Sequence, residues 1–149
     1  LGISEYLKEG LILLDVNMPD KNSAIAKTVE NMAKCEFLTD PSTFLDEVLK
    51  RESLGSTAIG EGVALPHART QNVSDIVVAI TRLAKPVNFS QDKEPVELII
   101  LIGTPLNAIG EYLKVLAQLS KLLRNDTIRS ALLKAQSAAK VIEIFTDLP

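Results

Sequence analysis

The spacing of apolar residues divides the first third of the chain into helices and one strand. Residues 1–9 favour a short helix, and the apolar run at residues 11–16 favours a buried strand. Amphipathic helices are then expected over residues 20–34 and 40–52, because apolar side chains recur there three or four positions apart. Each begins at an aspartate, a preferred capping residue, and the second ends before Gly55, a residue type common at helix C-termini.

The middle of the chain is rich in β-branched residues and reads as strands. Short strand fragments are expected at Ile59 and at residues 63–65, followed by a long strand over residues 73–83 that Pro86 breaks. Residues 96–102 form the most apolar run of the chain. A strand that is apolar on both faces belongs in a sheet that is covered on both sides.

The C-terminal third predicts three helices. Leu113, Leu116 and Leu123 are expected to face inward from the first helix, and Asp126 and Ser137 are expected to cap the other two. The predicted ranges are residues 108–123, 127–135 and 138–145. The order of elements favours one α/β domain over residues 1–149, with a single mixed β-sheet of about five strands and helices on both faces.

Composition excludes several classes of protein. A net charge of −3 provides no clustered cations for nucleic acid, and no apolar run approaches the roughly 20 residues of a membrane span. The single cysteine, Cys35, cannot form an internal disulfide and is read as a small buried residue, which fits a cytoplasmic setting. The first residues lack the basic start of a signal peptide, and the missing Met leaves open a longer multidomain protein.

One stretch, residues 51–69, contains the side chains best suited to chemistry. His67 is the only histidine of the chain and therefore its only imidazole nucleophile. Pro66 fixes its own φ and keeps the residue before it extended, so the direction from which the backbone reaches His67 is restricted. This arrangement presents a side chain for reaction.

The same stretch has the features of an anion site. Gly60 and Gly62 flank Glu61, and glycines allow backbone N–H groups to approach an anion closely. Arg51 and Arg69 lie on either side, and guanidinium groups bind phosphate oxygens in pairs. Arg51, in the last turn of its helix, is expected to lean over the glycine loop. Glu61 is expected to point outward, because a carboxylate repels phosphate.

These residues match a known pattern: an acidic residue, an apolar-glycine pair, and an apolar-Ala-apolar-Pro-His-small run. Here they are Glu52, Ile59-Gly60 and Val63-Ala64-Leu65-Pro66-His67-Ala68. The stretch resembles the phosphorylation-site signature of IIA domains of the bacterial phosphoenolpyruvate-dependent phosphotransferase system, in the fructose/mannitol/nitrogen-regulatory superfamily. Similarity to the nitrogen-regulatory branch extends the match over nearly the whole chain, at residues 55–57, 95–98, 127–129 and 133–137.

The resemblance implies a role for several of these residues. His67 would accept a phosphoryl group from a histidine-phosphorylated carrier protein, with Arg51 stabilising the charge. Neutral imidazole suits this task near neutral pH, and the loose transition state depends more on positioning and charge than on acid or base help. No metal or cofactor is expected. Many members have a second histidine where this chain has Tyr112, which donates a hydrogen bond but carries no positive charge.

Alternative roles are open for the lesser site residues. Ser56 and Thr57 either donate hydroxyls to the phosphoryl group or serve turns and caps. Arg69 binds the phosphate or a partner, or is a solvated surface charge. Arg51 has a structural alternative as the complement of its helix dipole, and Tyr112 has one as a packing residue.

The leading hypothesis is a phosphoryl-relay or regulatory protein of the nitrogen-regulatory type, acting through contacts with targets such as a sensor kinase or a potassium transporter. A sugar-specific IIA component that passes phosphate to a IIB cysteine is the first alternative. A binding module that is no longer phosphorylated is the second, because of Tyr112. A hydrolase using His67 as base is disfavoured, since the sequence has neither a G-x-S-x-G elbow nor a P-loop.

Overall fold

Six strands form one mixed sheet in the computed structural model, which describes residues 2–146. The strands are β1 (Ile12–Val16), β2 (Ala58–Gly60), β3 (Val63–Ala64), β4 (His67–Arg69), β5 (Val77–Asn88) and β6 (Pro95–Thr104). Their order in the sheet is β1-β5-β6-β3-β2, and β4 also pairs with β6, beyond the end of β3.

The pairings make the sheet mixed. The β1–β5, β3–β6 and β4–β6 pairs are parallel, whereas β5–β6 and β2–β3 are antiparallel. The α-helices are α1 (Lys21–Met32), α2 (Pro41–Ser53), α3 (Ile109–Leu122), α4 (Asp126–Lys134) and α5 (Ala138–Thr146). The expected fold class, an α/β arrangement around one mixed sheet, is therefore confirmed.

The central strand β6 explains why both faces of the sheet are covered. Leu98, Ile100 and Ile102 point to one side, where they join the core formed with α3, α4 and α5. Ile99 and Leu101 point to the other side and pack with residues of α1 and α2. Because alternate residues of a strand face opposite sides, a continuous apolar run requires a core on each face.

Several predicted boundaries change for physical reasons. The first residues form two short 3-10 helices, Ile3–Tyr6 and Glu9–Leu11, instead of one helix; Leu1 lies outside the described residues. Strand β1 is an edge strand and only partly buried. Pro86 does not break β5, because it lies where the pairing with β6 shifts register, a position at which proline is tolerated.

Two predictions about the C-terminal helices are wrong in detail. Leu113 is 54% exposed, because the inward face of α3 is set by Tyr112, Val115 and Leu119. The α4 cap is Asn125, whose side chain accepts from the next backbone N–H groups, and not Asp126. The short strand β4, which carries His67, was not predicted because three residues give no periodic signal.

Candidate functional site

His67 begins strand β4, and its backbone is held against β6. Its strand partner is Ile102 of β6, and the N–H of Ile102 donates to the carbonyl of Pro66, at 3.0 Å. The preceding Leu65 and Pro66 are buried, whereas His67 is partly exposed. The strand thus anchors the backbone while the imidazole reaches the surface, as its proline-restricted approach predicted.

One ring nitrogen of His67 is occupied and the other is free. Nδ1 lies 2.9 Å from the carbonyl oxygen of Leu65. Because a carbonyl oxygen only accepts hydrogen bonds, Nδ1 must carry the hydrogen, and in the neutral ring the lone pair is then on Nε2. No residue within 2–146 makes a hydrogen bond to Nε2. In the neutral ring, Nε2 is therefore the nitrogen with a free lone pair.

Helix α2 presents a second face to the imidazole. Phe44, Val48 and Glu52 form its buried face. Arg51 lies one position earlier than Glu52, and its Nη1 donates to the Gly55 carbonyl at 2.9 Å. This bond takes one of the five guanidinium N–H donors and leaves the others available. Arg51 therefore bonds the turn after α2 and lines the same cavity as His67, which does not include the glycine loop over which it was expected to lean.

A cavity of about 590 Å³ lies between these elements. Residues from the end of α2, from β4 and from the start of α3 line it, among them three cations and three aliphatic side chains. The lining residues are Glu47, Lys50, Arg51, Leu54, His67, Ala68, Arg69, Ile109 and Tyr112. The structure thus brings together four of the predicted site residues: His67, Arg51, Arg69 and Tyr112.

The cavity is locally positive in a chain whose net charge is −3. Lys50, Arg51 and Arg69 line it against one carboxylate, Glu47. In the described part of the chain, neither arginine has a carboxylate within ion-pair distance, whereas Arg82 is paired. Unpaired guanidinium groups beside a nucleophile favour the binding of an anion, particularly one with paired oxygens.

The carboxylate of Glu47 is directed to neighbours beyond the cavity. Its Oε1 accepts from the hydroxyl of Thr70, at 2.7 Å, and from Nδ2 of Asn72, at 2.8 Å. Thr70 follows directly after β4, so these bonds tie the end of the histidine strand to α2. Glu47 therefore helps fix the distance between the helix that carries Arg51 and the strand that carries His67.

Tyr112 closes the third side of the cavity. Its ring centroid is 5.8 Å from that of His67, and the side chain is 8% exposed. Burial raises the pKa of Tyr112 above its usual value, while the charges of Arg51 and Arg69 act in the opposite direction. The phenol consequently remains a proton donor at physiological pH, and it makes no hydrogen bond within residues 2–146.

The start of α3, which carries Tyr112, is tied to the N-terminal part of the chain. The Tyr6 hydroxyl donates to Oε1 of Glu111 at 2.5 Å. Burial and then this hydrogen bond to a carboxylate raise the pKa of Tyr6 to about 12. Tyr6 was not predicted as relevant to the site, and nothing in its local sequence points to a partner more than a hundred residues away.

The glycine loop lies elsewhere, which corrects the prediction that it cradles the phosphate beside His67. Gly60, Glu61 and Gly62 form the tight turn between β2 and β3, all with positive φ, and line a separate hollow of about 360 Å³. The glycines are needed for the turn. Glu61 is exposed as expected, with its carboxylate 3.6 Å from Nη2 of Arg129.

Ser56 and Thr57 also serve local structure and do not line the cavity. The Ser56 hydroxyl accepts from the N–H of Ala58 at 3.1 Å, which is a turn role. Thr57 donates both its backbone N–H and its hydroxyl to the Glu52 carboxylate. Two roles were considered for these residues, donation to a phosphoryl group and stabilisation of turns and caps, and the observed contacts belong to the second role.

Sequence reasoning missed Glu47, Lys50, Leu54 and Ile109 as lining residues. The first three could have been found from the sequence, because residues 47, 50 and 54 lie three or four positions apart and share one helix face beside the buried face of α2. Ile109 gave no such signal, since α3 reaches the cavity only through tertiary packing. Among residues 2–146, no three His, Cys, Asp or Glu side chains are grouped to hold a metal ion.

Comparison with known proteins agrees with the geometry. Residues 5–148 match the family described as "Phosphoenolpyruvate-dependent sugar phosphotransferase system, EIIA 2". The chain belongs to this family. Relatives of the chain carry names from the nitrogen-regulatory and the sugar-specific branches alike. Family membership therefore identifies an EIIA-type domain of the phosphotransferase system without selecting a branch.

Relatives from both branches are similar over essentially the whole chain. The "PTS system fructose-specific EIIABC component" of Bacillus subtilis (strain 168) is 35% identical over 148 residues, covering 99% of this chain. The chain spans only 23% of that relative's length. A "Nitrogen regulatory protein" of Bradyrhizobium diazoefficiens is 30% identical over 150 residues, covering 100% of this chain and 97% of the relative.

A solved structure supports the fold directly. The nitrogen regulatory protein IIA-Ntr from Neisseria meningitidis superposes with a TM-score of 0.89 at 33% identity, covering 96% of this chain and 98% of that one. In the described EIIA domain, no helix combines the length and the apolar character needed to cross a bilayer.

Proposed function

We propose that this EIIA domain accepts a phosphoryl group on Nε2 of His67 from the phosphohistidine of a small carrier protein. The observation that carries the proposal is a free imidazole nitrogen in a cavity with two arginines that lack carboxylate partners in the described chain. In the reaction, the phosphorus–nitrogen bond of the carrier breaks as a new one forms at Nε2. The carrier imidazole leaves with the electron pair.

The surroundings of His67 suit each part of this step. The N–H of Nδ1 donates to the Leu65 carbonyl. This hydrogen bond stabilises the positive charge that the ring gains as Nε2 is phosphorylated. Arg51 and Arg69 supply donors for the oxygens of the transferring group, whose negative charge is spread over them. The Tyr112 phenol adds a neutral donor in the role that many family members give to a second histidine.

The rim of the cavity suits a protein substrate. Leu54 is 80% exposed and Ile109 is 48% exposed, and both line the opening beside the cations. Exposed apolar side chains around a polar centre are typical of protein contact sites. The histidine-phosphorylated carrier would cover these residues while its phosphohistidine enters the cavity.

For the phosphorylated protein we favour a regulatory role of the nitrogen-regulatory type, exerted by contact with a target such as a sensor kinase or a potassium transporter. Similarity to nitrogen regulatory proteins over essentially their full length supports this role. The alternative is a sugar-specific component that passes the phosphoryl group to a IIB cysteine. The 35% identity to a fructose-specific component favours that alternative.

Phosphorylation in a reconstituted system tests the proposal. The protein is incubated with phosphoenolpyruvate, enzyme I and carrier, and bound phosphate is measured by mass spectrometry and by its lability in acid. The wild type is expected to gain one acid-labile phosphate, and His67→Ala none. Absence of phosphate from the folded wild type would favour a binding module instead. Loss of the phosphate to an added IIB protein would favour the sugar-specific branch.

A further inference from the structure

Glu52 is a buried carboxylate next to the site that the proposed reaction does not use. It is 3% exposed and lies in the last turn of α2, directly after Arg51. Its Oε1 accepts from the backbone N–H of Thr57 at 3.0 Å, and its Oε2 accepts from the Thr57 hydroxyl at 2.6 Å. Nζ of Lys21 is 3.5 Å from Oε1. A buried charge is costly without such partners, so these contacts hold Glu52 firmly in place.

The turn that Glu52 holds is the same turn that Arg51 contacts. Nη1 of Arg51 donates to the carbonyl of Gly55, and the N–H of Gly55 donates to the carbonyl of Glu52 at 3.2 Å. The turn at residues 53–57 is therefore held at two points, at Gly55 by the Arg51 side chain and at Thr57 by the Glu52 carboxylate. Movement of this turn would shift the carbonyl to which the guanidinium is bonded.

We infer that Glu52 is a positioning residue, which holds the Arg51 guanidinium ready for the phosphoryl group by fixing the turn at residues 53–57. The inference rests on the proposed function, because it assigns a role in phosphoryl transfer. Glu52 does not line the cavity, so it acts through Arg51 and not on the phosphate. A donor that is ordered before the reaction gives the most transition-state stabilisation, since no reorganisation is then needed.

The carboxylate is suited to this task despite its negative charge. Lys21 of α1 lies beside it and offsets that charge, while Nζ of Lys21 also donates to the carbonyl of Phe89 at 3.1 Å. The pair therefore connects the turn to α1 and to the segment after β5. Glutamine at position 52 keeps the shape, but its amide nitrogen cannot accept the hydrogen of the Thr57 hydroxyl and its neutral side chain no longer pairs with Lys21.

A double-mutant cycle between Glu52 and Arg51 tests the inference. The first-order rate of phosphoryl transfer at saturating carrier is measured for wild type, Glu52→Gln, Arg51→Ala and the double variant. We expect Glu52→Gln to slow transfer about tenfold in the wild-type background, and less than about twofold when Arg51 is already alanine. Coupling of this size is not expected from a residue that only stabilises the fold.

Thr57 provides a second route should Glu52→Gln fail to fold. Thr57→Val removes the 2.6 Å bond from the hydroxyl to Glu52. It is expected to slow transfer in the wild-type background more than in the Arg51→Ala background, and Thr57→Ser is expected to recover most of the lost rate. Thr81→Val is the control, because it removes a buried hydroxyl bond to Thr28, at 2.7 Å, on another part of the sheet. This control is expected to lower stability without slowing transfer.

The outcomes separate this inference from the proposed function. Equal losses from Glu52→Gln in both Arg51 backgrounds, or no loss from either the Glu52 or the Thr57 variant, would overturn the positioning role while His67 remains the acceptor. A folded wild type that takes no phosphate from the carrier would refute the proposed function and this inference with it.

Discussion

Replacing Arg51 with alanine removes the only guanidinium that α2 contributes to the cavity lining around His67. One guanidinium N–H bonds the Gly55 carbonyl, so the remaining donors are free for phosphoryl oxygens. Removal of a transition-state donor typically slows an enzyme by about 10²–10³-fold, or about 2.7–4 kcal/mol. Because Arg69 also lines the cavity, we expect a loss of about 10²-fold, at the lower end of this range.

The same substitution should have a small effect on folding. A cation in the last turn of a helix contributes about 0.3–1 kcal/mol, and the exposed bond to Gly55 contributes about 0.5–1.5 kcal/mol. For a chain of this size, each kcal/mol corresponds to a shift in Tm of about 2–4 °C. The protein therefore stays folded under assay conditions, and the lost rate reflects the chemistry.

Rapid-quench measurement of single-turnover transfer from the phosphorylated carrier, with thermal unfolding of the same samples, provides the assay. Arg124→Ala is the matched control, since it removes an exposed arginine that does not line the cavity. Arg51→Lys should fall between wild type and alanine, because lysine keeps the charge and loses the planar fork. A normal transfer rate in folded Arg51→Ala would refute the assignment.

Three further predictions concern the rim, the sheet and a helix cap. Leu54→Asp should weaken carrier binding by about tenfold, measured as a higher KM, with stability changed by less than about 0.5 kcal/mol, because the side chain is 80% exposed. Gly103→Ala should lower the free energy of unfolding in urea by about 1–3 kcal/mol, because the added Cβ would lie 3.0 Å from Cζ of Phe44. Hydrogen bonds from the backbone N–H of Thr43, and then from its hydroxyl, lower the pKa of Asp40 in the folded protein. The cap therefore stabilises the fold at pH values above the pKa that Asp40 has in the unfolded chain. This stabilisation is lost as the pH falls through the lower pKa of the folded state. Urea midpoints from about pH 5 to about pH 3 should therefore decline less steeply for Asp40→Asn than for the wild type.

Each of these has an outcome that would contradict it. If KM is unchanged in Leu54→Asp, or rises equally in the exposed Leu133→Asp, then the cavity rim is not part of the surface that contacts the carrier. Wild-type stability of Gly103→Ala would mean that Phe44 moves freely. Identical acid profiles for Asp40→Asn and the wild type would exclude Asp40 as a source of the pH dependence.

Local patterns were sufficient to predict the helices that begin at aspartate caps. Asp20 and Asp40 accept from the backbone N–H three residues later, as their positions suggested. The two-sided burial of β6 followed from the unbroken apolar run at residues 98–102. The prediction that Pro86 breaks β5 was wrong because the effect of a proline depends on how its strand pairs with the neighbouring strand. Pro86 lies where the pairing of β5 with β6 shifts register, so no ladder hydrogen bond is lost and the strand continues.

For the site, the sequence predicted the positions of residues within one element, but it did not predict the contacts between elements. Arg51 could be placed at the end of α2 and His67 after Pro66, and the resemblance linked them. The glycine loop was assigned to the phosphate because it is close in sequence, but positive φ at Gly60 and Gly62 serves the hairpin turn. The contribution of Ile109 depends on where α3 packs, which no local pattern records.

The most direct test of the central claim is to identify the phosphorylated atom. Protein labelled with ¹⁵N in its single histidine is examined by long-range ¹H–¹⁵N NMR before and after phosphorylation by the carrier. The hydrogen bond to Leu65 predicts that Nδ1 carries the hydrogen in the neutral ring and that phosphorus is bonded to Nε2. Phosphorus on Nδ1 of His67, or on any other residue, would contradict the account.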